Sequence, residues 1–281
     1  MRKYFAFLWL LLACAAQPVA AASSPRLGTL EQQLRSLVAG KSADVGIAAL
    51  DLTNGETVSV NGDKSFPMAS TMKVAVAANY LQQVDAGNRS LTDRISGQTA
   101  ASLMERMLIH SDNNATDILI RDLGGAKGMQ EWVAWHRLSN MRIDRNIAKL
   151  LADKRDLWDV RDSSTPVAMV EMLKMIDKGS LLKPASRAYL LDIMGRCATG
   201  KNRMRALLPW GTRVEHKTGT LNGYASDVGF ITMPDGRRIA VAMFARGGAD
   251  RPRTIAEATR AIYDGFRSIL NWNLTPALTT R

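Results

Sequence analysis

A serine and a lysine one helical turn apart, in Ser70-Thr71-Met72-Lys73, are the residues of this chain best suited to covalent chemistry. Residues three apart share a helix face, so the hydroxyl and the amine can meet. A serine hydroxyl attacks a carbonyl only when a neighbour takes its proton, and a lysine can take it if burial and a nearby cation depress its pKa. Lys217 is the candidate for that cation. The unbroken apolar run Val74 to Ala78 predicts a helix buried on most sides, where an idle lysine would be costly. The plainer reading of the same helix makes Ser70 its cap and Lys73 a solvated charge.

Two further runs carry matching chemistry. Ser111-Asp112-Asn113 falls between the apolar stretch Met104 to Ile109 and the helical pattern of Ala115 to Leu123, so Asp112 or Asn113 caps a helix there. Ser111 can pass a proton to a leaving nitrogen, and the Asn113 amide offers a donor and an acceptor to a substrate amide. Lys217-Thr218-Gly219 belongs to Thr212 to Thr220, whose alternating polarity reads as a strand. Lys217 and Thr218 would hold an anionic group, and Gly219 would let a substrate backbone come close. The Thr220 N–H would share an oxyanion hole with the Ser70 N–H. The catalytic set is thus Ser70, Lys73, Ser111 and Lys217, and the binding set Asn113, Thr218, Gly219 and Thr220.

The elements that must position these groups are visible as patterns. Val45 to Leu50 and Thr57 to Val60 flank Asn54-Gly55, and Asp227 to Met233 and Ile239 to Ala245 flank Asp235-Gly236; both read as hairpins. From Thr71 to about Leu191 the apolar spacing is helical, as in Met169, Met172, Leu173 and Ile176 after Pro166. Thr254 to Leu270 reads as a closing helix. The expected fold is α/β of the α+β kind: a five-stranded antiparallel sheet built from both chain ends and flanked by helices, with an inserted all-helical subdomain. The sheet parts are about 27–65 and 210–271 and the helical part about 66–209, with the site at their junction.

Of the 281 residues, the first 22 show Arg2 and Lys3, an apolar run from Tyr4 to Ala16 and small residues through Ala22, the pattern of a secretory signal. Residues 23–281 then form one catalytic domain, periplasmic or secreted, with Asn271 to Arg281 a frayed tail. Leu11-Leu12-Ala13-Cys14 resembles a lipobox, which makes a lipid anchor on Cys14 the competing reading. After cleavage only Cys197 remains, so no intrachain disulfide forms and a buried thiol is expected. His110, His136 and His216 have no metal-cage spacing, so neither metal nor other cofactor is expected. The net charge of +11 is spread along the chain without interleaved aromatics, which excludes a nucleic-acid face and leaves anionic wall polymers or simple solubility as its use. A monomer is expected.

The ordered set of three runs resembles the class A serine β-lactamases, which share these motifs with the penicillin-binding transpeptidases and carboxypeptidases. The resemblance covers roughly Leu27 to Leu270. Arg142-Ile143-Asp144-Arg145 is similar to the entry of that family's omega loop, and Arg161-Asp162-Ser163-Ser164-Thr165-Pro166 to its exit. The resemblance implies an ion pair between Arg145 and Asp162, and it makes Arg203 the candidate anchor for a β-lactam carboxylate. It also marks two departures. Ile147 stands where the family has the glutamate that activates the deacylating water, and Leu151 stands where it has an asparagine. Asp153, Asp156 and Asp159 are the loop carboxylates that remain. Lys73 and Ser111 are only 38 positions apart, shorter than in the family, which implies a missing cleft wall. The implied activity is β-lactam hydrolysis through an acyl-enzyme on Ser70. The alternatives are a D,D-peptidase acting on peptidoglycan stem peptides and a non-catalytic β-lactam or cell-wall-binding protein.

Overall fold

The computed structural model describes residues 25–154 and 156–273. The chain begins with α1 (Pro25–Ala39), β1 (Asp44–Asp51), β2 (Thr57–Val60) and the short β3 (Phe66–Pro67). A 3-10 turn, Ala69–Met72, leads into α2 (Lys73–Asp85), followed by the ribbon β4 (Arg94–Ile95) and β5 (Gln98–Thr99). Next come α3 (Ala100–Ile109), α4 (Asn113–Asp122), α5 (Gly125–Trp135), α6 (Ile147–Ala152) and β6 (Ser163–Ser164). The chain continues through α7 (Pro166–Asp177), α8 (Pro184–Gly195), β7 (Val214–Leu221), β8 (Tyr224–Thr232), β9 (Arg238–Arg246) and α9 (Arg251–Asn273).

The main sheet has the order β2-β1-β9-β8-β7 with antiparallel neighbours, as expected. The two chain ends meet where β1 pairs with β9, from Asp44 opposite Arg246 to Asp51 opposite Ile239. Both faces of the sheet are covered, so the central strands read as continuous apolar runs. Alternation sorts them: Ile239, Val241, Met243 and Ala245 pack with α1 and α9, while Ala240, Ala242 and Phe244 pack with the helical region. Gly55 and Gly236 take positive φ, +79° and +86°, at the two hairpin turns read from the sequence.

The inserted region is not wholly helical, because β3 pairs with β6 and β4 with β5. The first ribbon ties the far end of the loop 142–165 to the segment entering the 3-10 turn. Buried residues occupy every position of α2 from Lys73 to Leu81, as its apolar run predicts. α1 went unread, although Leu27, Leu30 and Leu34 give one buried face with helical spacing. α9 begins three residues before the expected start and runs to Asn273, so Asn271 to Asn273, the first residues of the tail expected to fray, are helical. The leader, Cys14 and the rest of the tail lie outside the described residues.

Candidate active site

Three segments bring the chemistry together. The 3-10 turn carries Ser70, the turn between α3 and α4 carries Ser111, and the edge strand β7 carries Lys217. Ser70 is not a helix cap. It lies within the turn, and the Lys73 backbone N–H donates to its carbonyl. Lys73, the first residue of α2, follows Ser70 by three positions, so the two lie on the same side of the turn and the helix it leads into. Ala69 and Ser111 both adopt left-handed backbone, with φ +50° and +58°, beside the two hydroxyls. Non-glycine residues occupy this region at a cost, and they cluster at functional sites.

Ser111 is the hub. Lys73 Nζ donates to Ser111 O at 2.8 Å, to Ser111 Oγ at 3.2 Å and to Asn113 Oδ1 at 2.8 Å. Lys217 Nζ donates to the same Ser111 Oγ at 3.0 Å and to Thr218 O at 2.9 Å. An ammonium has three hydrogens, and Lys73 spends its three on Ser111 and Asn113. Among the described residues Ser70 Oγ has no hydrogen-bond partner, so the direct Ser70–Lys73 hydrogen bond read from the sequence is not formed in this state. The reason is stoichiometric: only a neutral lysine has a lone pair to offer the hydroxyl. Both lysines are 0 % exposed. Burial, reinforced by the charge of Lys217, lowers the Lys73 pKa to about 7, and burial lowers that of Lys217 to about 8.

Asp112, not Asn113, caps α4; its side chain accepts the Ala115 N–H at 2.8 Å and is paired with Arg106 at 2.6 Å. That leaves the exposed Asn113 amide to Lys73 and to the cleft. Gly219 has a different purpose from the one expected. A Cβ there would lie 2.7 Å from Met68 O, 2.4 Å from Ser226 Oγ and 3.1 Å from Ala69 Cβ. The protein's own turn needs that space, and this contact sets the Ser70 segment against the strand carrying Thr220. Thr218 is buried with its hydroxyl 2.5 Å from that of Thr199.

Arg203 is 7 % exposed and lies against β7. Nη1 donates to Gly219 O at 2.8 Å and Ser226 O at 2.9 Å, and Nη2 to Thr220 Oγ1 at 2.6 Å. It therefore cross-links the site strand to its neighbour and reaches the cleft through the Thr220 hydroxyl, a more indirect place than a free carboxylate anchor.

The loop closes as the motif comparison implied, with Arg145 Nε 2.6 Å from Asp162 Oδ2. The same guanidinium also takes Asp153 at 3.1 Å and Asp159 at 3.3 Å. Hydrogen bonds from Arg161, together with the charge of Arg145, hold Asp159 well below the usual carboxylate range. The Arg145 hydrogen bond also lowers the pKa of Asp153. Asp156 accepts the Trp158 N–H at 2.7 Å. Ile147 is 3 % exposed, its side chain part of the core between sheet and helices. Sequence reasoning missed Asp117, whose Oδ1 accepts the Ile147 N–H at 2.6 Å and Oδ2 the Ala148 N–H at 2.8 Å. Its signal was available: four positions after Asn113, it shares that residue's face of α4.

His216 and Asp227 form a fully buried pair at 2.7 Å, and the His136 ring contacts Gln82 at 2.9 Å. Cys197 is a buried thiol 3.3 Å from the Thr199 hydroxyl.

Residues 29–266 match the family described as the β-lactamase enzyme family. The extended-spectrum β-lactamase PER-1 of Pseudomonas aeruginosa is 30% identical over 267 residues, covering 83% of this chain and 86% of that protein. The carbapenem-hydrolyzing β-lactamase KPC of Klebsiella oxytoca is 29% identical, covering 91% and 96%. Among solved structures, a β-lactamase from Chitinophaga pinensis superposes with a TM-score of 0.79 at 29% identity, covering 85% of this chain and 99% of that one. A variant of the last common ancestor of Gram-negative class A β-lactamases gives 0.80 at 30% identity, covering 86% and 99%.

Proposed function

Because the chain belongs to the β-lactamase enzyme family, we propose that it is a serine hydrolase opening β-lactam rings through an ester on Ser70. The observation that carries this reading is the pair of buried lysines sharing one serine hydroxyl beside Ser70. When Lys73 is neutral it gives up one of its three donor contacts and accepts the Ser70 proton as Oγ attacks the ring carbonyl. The Ser70 and Thr220 amides face the developing oxyanion. Ser111 Oγ already accepts from two amines, so its own hydrogen is free to point into the cleft. It donates to the departing ring nitrogen and is reprotonated from Lys73, while Lys217 stays charged. Asn113 and Thr218 bind the substrate amide and anionic group, and Arg203 supports that group through Thr220.

A second reading, with slow release of the acyl group, is favoured by the loop. Its aspartates are engaged by Arg145, Arg161 or a backbone amide, and Ile147 is apolar. On that reading the natural substrate is a peptidoglycan stem peptide or the protein keeps the adduct, and D-alanine release from a stem peptide separates the two. The experiment is intact-mass spectrometry of the protein with a penicillin, alongside ring hydrolysis. Rapid hydrolysis with little adduct supports the hydrolase, and no adduct on Ser70 at any time overturns both readings. A periplasmic or secreted location is proposed from the leader pattern, with the Cys14 anchor as its competitor.

Two variants refine the scheme. Ile147→Glu should speed release of the penicilloyl ester about 100-fold, the low end of general-base catalysis, while lowering Tm because the side chain enters the core. Stopped-flow mixing and mass spectrometry measure it, and no acceleration would mean the position does not face the ester. Arg203→Met should raise KM about 10-fold with a smaller change in kcat, as expected for losing a charged hydrogen bond to Thr220.

A further inference from the structure

The Thr218 hydroxyl has one hydrogen, and it can bind an anionic group only if that hydrogen points into the cleft. Among the described residues the side chain that meets Thr218 Oγ1 is Thr199, whose hydroxyl oxygen lies 2.5 Å away. One of the two hydroxyls must donate to the other. If Thr218 donates, it has no hydrogen left for a ligand; if Thr199 donates, the Thr218 hydrogen is free to face outward. The Cys197 thiol favours the second arrangement, because its Sγ lies 3.3 Å from Thr199 Oγ1 and farther, 3.9 Å, from Thr199 O. A thiol that donates to Thr199 Oγ1 leaves the Thr199 hydrogen for Thr218, and hydrogen bonds in such a chain strengthen one another. The segment carrying these groups is fixed at both sides. The Ala198 N–H donates to Ile109 O at 3.0 Å, at the end of α3 just before the turn that carries Ser111, and Arg205 Nη1 donates to Cys197 O at 3.3 Å. Gly200, at φ +71°, comes so close to Thr218 that a Cβ there would lie 2.3 Å from Thr218 Cγ2. With its methyl against Gly200 and its oxygen against Thr199, the Thr218 side chain is held in one rotamer.

We propose that Thr199 is a positioning residue of this site: its hydroxyl donates to Thr218 Oγ1, turns the Thr218 hydrogen toward the cleft, and makes that wall prefer a carboxylate to its neutral ester. Lys217 attracts an anion by charge, but its amine donates to Ser111 Oγ and to the Thr218 carbonyl and does not orient the Thr218 hydroxyl. Arg203 holds the neighbouring hydroxyl, that of Thr220. Both threonines of the strand are therefore set from behind by the one segment that joins α8 to β7. This rests on the reading of Thr218 as the residue that binds the substrate's anionic group, and its test needs no acyl transfer.

The test is binding to the full chain carrying Ser70→Ala, with benzylpenicillin and its methyl ester titrated separately and followed by NMR at the labelled Thr218 methyl. The carboxylate should bind at least about 10-fold more tightly than the ester, as a hydrogen bond to a charged group requires. Adding Thr199→Ala should weaken the carboxylate about 5-fold and leave the ester within about 2-fold, the loss of one hydrogen bond falling on the anion alone. Thr199→Ser, which keeps the hydroxyl, should restore the parent affinity. An unchanged carboxylate affinity in Thr199→Ala, an equal loss for the ester, or a Thr199→Ser variant as weak as Thr199→Ala overturns the proposal. If the parent binds neither compound, the Thr218 anion site falls and this proposal with it. Acylation of Ser70, read by mass in the wild-type chain, is a separate result.

Discussion

Ser70→Ala should abolish the penicilloyl adduct and lower the rate of ring opening by at least about 10,000-fold, because it removes the hydroxyl three residues before the buried Lys73. Lys73→Met should slow acylation by about 100- to 10,000-fold, the range for losing a general base. The pH profile separates the two lysines. With Lys73 titrating at about 7 and Lys217 at about 8, acylation should rise through pH 7 as Lys73 becomes neutral. It should fall above pH 8 as Lys217 loses the charge that holds Ser111. Lys217→Ala removes the like charge that depresses Lys73, so the acidic limb should move to higher pH and the alkaline limb should vanish. Stopped-flow acylation across pH 5 to 10 reads all of this, and an adduct that survives Ser70→Ala would sink the assignment.

Arg145→Met should be the most destabilising single change in the loop. It strands Asp162, which is fully buried, and breaking a buried pair by removing one partner costs about 3–5 kcal/mol. For a chain of this size that corresponds to a Tm lower by roughly 10 °C. The deficit should narrow below about pH 4. Asp153 and Asp159 have folded-state pKa values depressed by arginine, so their contribution is present above the unfolded carboxylate pKa and is lost as acid protonates them. Thermal melts at pH 7 and pH 3 measure both effects. A loss under about 1 kcal/mol at pH 7 would show that the Asp144 and Arg145 backbone amides, rather than the Arg145 guanidinium, keep Asp162 satisfied.

The sheet and the three motifs were legible because each rests on a local pattern: period-2 alternation, turn glycines, and hydroxyl–amine spacing. The convergence on Ser111 followed from those motifs, but its hydrogen bonds did not. Whether Asp112 or Asn113 capped α4 was open in sequence, because both side chains can accept an amide; Arg106 decides it by claiming Asp112. Gly219 looked like space for a ligand, and only the approach of Met68 and Ala69 reveals its use. The resemblance made Arg203 a carboxylate anchor, and sequence cannot show that Gly219 and Ser226 present carbonyls to it. The fate of the loop aspartates was equally hidden, since one guanidinium gathers three of them across 17 positions. α1 is marked only by the stripe Leu27, Leu30 and Leu34, close behind the apolar leader pattern that dominates that end of the sequence.

One consequence concerns the sheet face opposite Lys73. There α1 and α9 lie side by side, close enough that a Cβ on Gly265 would strike the Leu30 side chain at 2.7 Å. The two helices that open and close the described chain therefore share the back of the sheet. Fusion of a tag, or immobilisation on a bead through either of these helices, should leave the Ser70 cleft unobstructed, and a short peptide bridging them would permit circular permutation with new ends at the Asp235-Gly236 turn.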